Sequence, residues 1–141
     1  MTTRIFFYGL YMDAVMLESL GLRPREVGAA RLDGYRLQIG ERATLFAAEG
    51  KSSYGFLHDL SAEEASALYS RPEVRAYVPQ TVMATLLADS SVHQAICYVL
   101  PQEETGSNTN VEYAAKLAAL VSRLGLPAQY SKEIQRLGDA T

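Results

Sequence analysis

Four short strand-like segments follow one another in the first half of the chain with no helical pattern between them. They lie at residues 27–32, 35–39, 43–47 and 54–57. The pair Asp33 and Gly34 is a β-hairpin signal, Gly40 closes the second segment, and the turn-rich residues 48–53 separate the last two. A strand-rich middle with helical patterns at the start, centre and end of a chain favours the α+β class. We therefore predict a small barrel or curled sheet with peripheral helices, and not a regularly alternating α/β sheet.

The remaining patterns predict four helices and one further hairpin. Ser61 and Glu64 have the spacing of a capping box, which starts a short helix. Thr109 or Asn110 caps a longer helix, and residues 89–91 form the turn of the hairpin. The predicted helices are 14–20, 62–70, 113–124 and 128–137, the hairpin strands are 77–87 and 93–100, and a polar loop occupies 102–110.

Length and composition predict one soluble globular domain that covers residues 1–141. The chain is 48% hydrophobic and 21% charged, and it has no apolar run long enough to cross a membrane. Its first residues lack the pattern of a signal peptide, which favours a cytoplasmic location. A net charge of −3 without a basic stripe argues against nucleic acid as a partner. The sequence does not indicate an oligomeric state.

Several classes of chemistry find no support among the residues of this chain. The single cysteine, Cys97, lies in an apolar strand pattern and is predicted to be inert packing. His58 and His93 have no second ligand at a metal-site spacing, so we predict no metal site. The adjacent His58 and Asp59 are interpreted as a polar strand end and not as part of a catalytic triad. The glycine-rich phosphate motifs are absent, and no cofactor is predicted.

The first part of the chain contains a candidate ligand site. An apolar strand at residues 4–8 is followed by Gly9 and then by the helical pattern at 14–20. A strand that turns through a glycine into the start of a helix exposes several backbone N–H groups in one place, and such a cluster attracts an anion. The alternative is that the glycine only forms a turn.

Four segments spread over nearly the whole chain carry a resemblance to a known family. The run FYGLY at residues 7–11 resembles an opening Y-G-[ST]-[LN] strand and loop, and ARLDGYRL at 30–37 resembles a second strand region. The run LYSRPE at 68–73 resembles a helix ending L-D-x-x-E-G with a tyrosine four residues after the glutamate. Tyr113 and the run GLPAQY at 125–130 resemble a C-terminal pattern of two helix starts. In this order, the segments resemble the γ-glutamylcyclotransferase-like family, also called AIG2-like.

This resemblance implies both a fold and a reaction. The fold is a small mixed β-barrel with peripheral helices and one ligand cavity. In the reaction, the α-amine of a γ-glutamyl group attacks its own γ-carbonyl, which releases 5-oxoproline and an amine or amino acid. Neither a metal nor a redox cofactor is required. The partner that the resemblance implies is therefore a small γ-glutamyl or carboxylate molecule.

The resemblance also assigns roles to particular residues. Glu73 matches the glutamate that would remove a proton from the α-ammonium and pass it to the leaving nitrogen. The residues 9–13 that follow the first strand are called the glycine loop here. Backbone N–H groups of this loop, around Gly9, Leu10 and Tyr11, would hold the α-carboxylate. The predicted substrate-binding residues are Tyr8, Gly9, Leu10, Tyr11, Tyr77, Tyr98 and Tyr113. A Glu73 that is buried in the same cavity as the loop would favour an enzyme, and a Glu73 that faces solvent would argue against one.

Two departures from the family pattern fall on this site and leave alternatives open. Leu10 replaces a hydroxyl residue, and the segment before Glu73 contains one additional residue, with Pro72 directly preceding the glutamate. The alternative to the catalytic role is that Glu73 is an exposed side chain between a helix and a strand, and the alternative for the tyrosines is packing in the core or at its rim. The second function class is a catalytically silent or redirected member that binds a small carboxylate or a protein partner. A piece of a larger amide hydrolase is the third.

Overall fold

Five strands curl into a closed barrel, and four helices lie around it, in a computed structural model that describes residues 2–40, 42–100 and 110–139. The strands are β1 (Thr2–Phe7), β2 (Arg25–Ile39), β3 (Ala43–Ser61), β4 (Val78–Leu86) and β5 (Val92–Val99). The helices are α1 (Ala14–Ser19), α2 (Ala62–Leu68), α3 (Val111–Arg123) and α4 (Ala128–Asp139). A short 3₁₀ turn, Leu10–Met12, connects β1 to α1.

The barrel is a mixed sheet with the strand order β1, β3, β2, β4, β5. Four of the neighbouring pairs are antiparallel. The fifth pair joins β1 to β5 and so closes the barrel. These two strands run parallel, and Ile5 lies beside Ile96. The prediction of a small mixed barrel with peripheral helices is therefore confirmed.

The predicted hairpin at Asp33 and Gly34 is wrong. Strand β2 runs through both residues as one strand, and Gly34 takes the left-handed backbone conformation, with φ of +85°, inside an irregularity of the ladder. Asp33 pairs with Ser52 while Tyr35 pairs with Ala47, so the additional residues of β3 bulge outward at this point. The true turn between β2 and β3 lies between Ile39 and Ala43.

The same irregularity explains why two predicted strands, 43–47 and 54–57, are parts of a single strand. The turn-rich residues 48–53 do not end β3, because Ser52 and Ser53 pair with β2 again. A short dipeptide signal does not distinguish a hairpin from a bulge, since both need a residue with positive φ. The bulge forms here because β2 and β3 pair with each other on both sides of Gly34.

The predicted helices and the β4–β5 hairpin are confirmed. The Ser61 hydroxyl accepts from the Glu64 N–H while the Glu64 carboxylate accepts from the Ser61 N–H, both at 3.0 Å, which completes the capping box. Asn110 caps α3 by accepting from the Tyr113 N–H at 3.0 Å. Thr109 and residues 102–109 of the predicted polar loop lie outside the described residues.

Apolar side chains of the strands and of α3 and α4 form a continuous core. Cys97 lies within it, at 1% exposure, and burial raises the pKa of its thiol to about 12. In α3 and α4 the residues Leu117, Val121 and Ile134 are completely buried. None of the described helices is long and apolar enough to cross a membrane. Within the described ranges, no cluster of metal-ligating side chains is found.

Candidate active site

A cavity of about 310 Å³ lies beside the end of β1 and the glycine loop that follows it. Its walls come from β1, the 3₁₀ turn, the turn between β2 and β3, the segment after α2, β5 and α3. All eight residues that the sequence predicted for the site line this cavity: Glu73, Tyr8, Gly9, Leu10, Tyr11, Tyr77, Tyr98 and Tyr113. The fold therefore brings together residues that are distant in sequence, while their roles toward a ligand stay predictions.

The glycine loop is held by local hydrogen bonds. The Met12 N–H donates to the Gly9 carbonyl at 3.0 Å and closes the 3₁₀ turn. Gly9 has an ordinary φ of −107°, so backbone conformation does not require glycine there. The lack of space favours glycine instead, because a Cβ atom at Gly9 would lie 2.8 Å from the Tyr113 hydroxyl oxygen. Asp13 ends the loop by capping α1 through the Val15 N–H at 3.1 Å.

Phenol rings make up most of the cavity wall. The Tyr8 hydroxyl donates to the Tyr98 carbonyl at 2.7 Å, and the Tyr77 hydroxyl donates to the Ala43 carbonyl at 2.5 Å. The rings of Tyr69 and Tyr98 stack with their centres 3.6 Å apart and their planes 10° from parallel. These contacts fix several rings in place and leave an apolar cavity with a small number of polar groups, as is typical of small-molecule sites. The tyrosines of the wall are Tyr8, Tyr11, Tyr69, Tyr77, Tyr98 and Tyr113.

The phenols of this wall remain neutral at physiological pH. Burial raises the pKa of Tyr8 and Tyr69 well above the ordinary value, and it also raises the pKa of Tyr77. Burial raises the pKa of Tyr113 to about 12, although a hydrogen bond with the Leu10 backbone opposes the rise. Neutral phenols donate hydrogen bonds but are not effective general bases, so these side chains are suited to hydrogen-bonding a ligand and not to removing protons from it.

Glu73 lies at the mouth of the cavity, on the turn that follows α2. The N–H groups of Val74 and Arg75 donate to the Arg71 carbonyl, which shapes this turn. The Glu73 side chain is 56% exposed, and its Oε2 lies 3.5 Å from Nη2 of Arg71. Burial is the main reason why the pKa of Tyr11 is raised, and the Glu73 charge raises it further while Arg71 lowers it. The Glu73 charge therefore affects the pKa of a tyrosine in the cavity wall. The Glu73 side chain itself is exposed, so the burial that would favour an enzyme is not found.

Sequence reasoning missed two lining residues with chemical significance, Arg42 and Tyr69. The Arg42 guanidinium carbon lies 5.9 Å from the centre of the Tyr77 ring, within the range of a cation–π contact. Among the described lining residues, Arg42 is the sole cation and Glu73 the sole carboxylate. Tyr69 lies inside the LYSRPE run that carried the family resemblance, which was a usable signal. Arg42 follows the Gly40 turn, and no local pattern marked it.

A family model described as γ-glutamyl cyclotransferase, AIG2-like, matches residues 5–115, which is more than half of the chain. The chain belongs to this family. The γ-glutamyl cyclotransferase resemblance inferred from four short segments is thereby confirmed. None of the curated proteins compared matches the sequence.

Solved structures show that the fold of this γ-glutamyl cyclotransferase family member is shared by distant relatives. A γ-glutamyl cyclotransferase is 17% identical with a TM-score of 0.79, and the match covers 96% of this chain and 87% of that one. An uncharacterized protein from Homo sapiens is 17% identical with a TM-score of 0.81, covering 95% and 86%. YkqA from Bacillus subtilis is 19% identical with a TM-score of 0.80, covering 99% and 55%. At these identities the likeness shows the fold alone.

Replacing Gly9 with alanine is expected to disturb the site of this γ-glutamyl cyclotransferase family member more than its stability. The new Cβ would displace the Tyr113 hydroxyl, which is the far end of a side chain, so the fold can adjust. A displacement of about 1 Å in a catalytic contact can lower turnover by up to about 100-fold, so for any reaction that this cavity catalyses we expect kcat/KM to fall by about tenfold or more. Kinetics and thermal unfolding would be compared with the same change in a Tyr113→Phe background. A fall in kcat/KM of equal size in both backgrounds would contradict the steric explanation.

Alkaline pH is expected to destabilise the fold through its buried tyrosines. Their pKa is 10.0 in an ordinary setting, whereas that of Tyr113 is about 12 in the folded chain. Between these values the unfolded chain binds fewer protons than the folded one, so the free energy of unfolding falls as pH rises. At about pH 11, midway between the two pKa values, the loss is on the order of 1 kcal/mol for such a group, and none is expected below about pH 9. Urea unfolding at about pH 8 and about pH 11 measures it, and a Tyr113→Phe variant should lose less.

Proposed function

We propose that this chain is a γ-glutamylcyclotransferase that converts a γ-glutamyl amine or peptide into 5-oxoproline and a free amine, with Glu73 as general acid and base. The observation that carries the proposal is the cavity itself. It joins the glycine loop, a wall of neutral phenols and a single described carboxylate in one place. Membership of the family supports the reaction type.

The cavity offers groups of opposite charge to a γ-glutamyl substrate, whose α-carbon carries both a carboxylate and an ammonium group. The backbone N–H groups at Gly9 and Tyr11 and the guanidinium of Arg42 are donors for the carboxylate. Leu10 contributes no side-chain donor, and its backbone already contacts the Tyr113 hydroxyl. The Glu73 carboxylate, on another wall, is the partner for the ammonium group. Such a two-point arrangement fixes the orientation of the glutamyl group.

Ring closure removes two protons from the attacking nitrogen, because an ammonium group becomes the N–H of a lactam, and the leaving nitrogen gains two as it departs and becomes an ammonium ion. Glu73 accepts a proton from the α-ammonium, and the free amine attacks the γ-carbonyl carbon to form the new C–N bond. When the tetrahedral intermediate collapses, the old amide C–N bond breaks and Glu73 returns its proton to the departing nitrogen. The ring nitrogen then gives up its second proton to solvent, and the released amine takes one up from solvent. The substrate supplies both the nucleophile and the electrophile, so holding it in a folded conformer contributes a large part of the rate.

A second candidate function is supported by the surroundings of Glu73. Its side chain is more than half exposed and faces Arg71, and the hydroxyl donor of the loop is replaced by Leu10. A member with these features would bind a small carboxylate in the cavity without cyclising it, or use the fold to contact a protein partner. The small carboxylate is the better-supported ligand because Arg42 lines the cavity.

The two candidates differ in their products. Purified protein would be incubated with a panel of γ-glutamyl dipeptides and γ-glutamyl alkylamines, while 5-oxoproline and the free amine are quantified. The cyclotransferase proposal predicts that at least one member of the panel gives both products in equal amounts. Saturable binding of 5-oxo-L-proline or L-glutamate without any product would support the second candidate. The member of the panel with the highest kcat/KM would define the leaving amine.

A further inference from the structure

Two adjacent polar residues of β3, His58 and Asp59, point to opposite sides of the barrel wall, as neighbours on a strand do. Asp59 faces outward and forms a paired contact with Arg4, with N to O distances of 2.8 and 2.9 Å. This hydrogen-bonded pairing lowers the pKa of Asp59. The sequence interpretation of a polar strand end therefore describes Asp59. His58 differs, because it is completely buried and no step proposed above uses it.

The imidazole of His58 lies among apolar rings. Its ring centre is 5.8 Å from that of Phe7 and 6.1 Å from that of Phe56, with the second pair nearly parallel at 17°. The Nε2 atom lies 2.9 Å from the carbonyl oxygen of Met12. A carbonyl only accepts, so Nε2 carries a proton and donates it to this hydrogen bond. In the described part of the chain, the buried Nδ1 atom has no hydrogen-bond partner.

Within the described residues, the hydrogen bond of this buried ring therefore goes to Met12, in the glycine loop. Met12 is the last residue of the 3₁₀ turn and is itself buried. Its N–H closes the turn on the Gly9 carbonyl, and its carbonyl is held from the barrel side by His58. Both the N–H and the carbonyl of Met12 are thus hydrogen-bonded, which fixes the end of the turn. A buried carbonyl that loses its donor destabilises the conformation that leaves it unpaired.

We propose that His58 is a positioning residue that orders the glycine loop, and with it the backbone N–H groups of Gly9 and Tyr11, two residues that line the cavity. The role of those groups toward a γ-glutamyl ligand rests on the proposed function, but the order of the loop does not. His58 acts through Met12 and touches no ligand. Its effect should consequently appear in binding more than in the chemical step.

The test compares three variants of the full chain. His58→Leu removes the donor, His58→Gln keeps an amide N–H of similar reach, and Ile134→Val removes one buried methyl group from α4. Amide hydrogen exchange at Met12 and Asp13 reports on the loop without any ligand. We expect His58→Leu to speed exchange at Met12 by about tenfold, the loss of one buried hydrogen bond, and His58→Gln to restore most of the protection. Ile134→Val should leave these two amides unchanged.

Kinetics with the best γ-glutamyl dipeptide form the second readout. We expect KM to rise by about tenfold in His58→Leu while kcat changes by less than about threefold, with recovery of KM in His58→Gln. Unchanged exchange at Met12 in His58→Leu would overturn the proposal, as would equal exchange in the two His58 variants. If the wild-type protein forms no 5-oxoproline, the proposed function fails, and the exchange measurement still decides the role of His58.

Discussion

Replacing Glu73 with glutamine is expected to lower the rate of 5-oxoproline formation by about 10²–10⁴-fold, the usual contribution of a positioned general acid and base. Glutamine keeps the size and the hydrogen-bonding capacity of the side chain but does not accept the proton of the α-ammonium. Because the charge is also lost, KM should rise moderately. Initial rates over a range of γ-glutamyl dipeptide concentrations separate the two effects.

Glu63→Gln is the matched control for this experiment. Glu63 is an exposed glutamate in the first turn of α2, outside the cavity wall. The same charge change at that position should leave kcat and KM within about twofold, since exposed surface charges contribute little. A Glu73→Gln variant with nearly wild-type kcat would remove Glu73 from the mechanism, and the neutral phenols offer no replacement base.

Among the glycines whose surroundings the structure describes, Gly55 is the one at which an added methyl group should destabilise the fold most. A Cβ atom at Gly55 would lie 2.0 Å from the Phe7 carbonyl oxygen and 2.9 Å from its carbonyl carbon. Both are backbone atoms of the paired strand β1, so they cannot move aside as a side chain would. We expect a loss of about 3 kcal/mol or more in the free energy of unfolding. Urea unfolding measures this loss directly.

Gly21→Ala distinguishes steric conflict from backbone strain. Gly21 has a φ of +86°, and a Cβ atom there would meet nothing within 4 Å. Alanine at Gly21 should therefore cost only about 1 kcal/mol, the strain of the left-handed conformation. Equal losses of unfolding free energy for the two variants would contradict the prediction that the close approach of Gly55 to β1 dominates the cost. The Phe7 backbone that Gly55 approaches belongs to a residue that lines the cavity.

Features with a local physical cause were predictable from the sequence. The capping box of Ser61 and Glu64 forms because the two residues have the spacing of one helical turn. The hairpin at residues 89–91 forms because long strand patterns flank a short polar turn, where Ser90 takes a positive φ of 62°. By contrast, Asp33 and Gly34 carried the same local signal and formed a bulge. Only the register of β2 against β3 distinguishes the two outcomes, and that register depends on distant residues.

The candidate site shows the same division. Family motifs placed Glu73 and the tyrosines at one cavity, which composition and periodicity alone did not reveal. The sequence left open whether Glu73 is buried or exposed, because its exposure depends on how the turn after α2 meets Arg71 and the glycine loop. Arg42 was missed because a basic residue in a turn is ordinarily a solvated one. Its place in the wall follows from the closure of the barrel.

The most direct test of the proposed cyclisation is to run the reaction in water enriched in oxygen-18. Attack by the substrate's own amine forms 5-oxoproline without taking up an oxygen atom from solvent. We predict unlabelled 5-oxoproline and free amine in equal amounts from the best γ-glutamyl dipeptide, with formation dependent on Glu73. Labelled glutamate as the main product would show hydrolysis by water, and the absence of any product across the panel would show that the cavity binds without catalysis. Either result would contradict the proposal that this cavity cyclises a γ-glutamyl group.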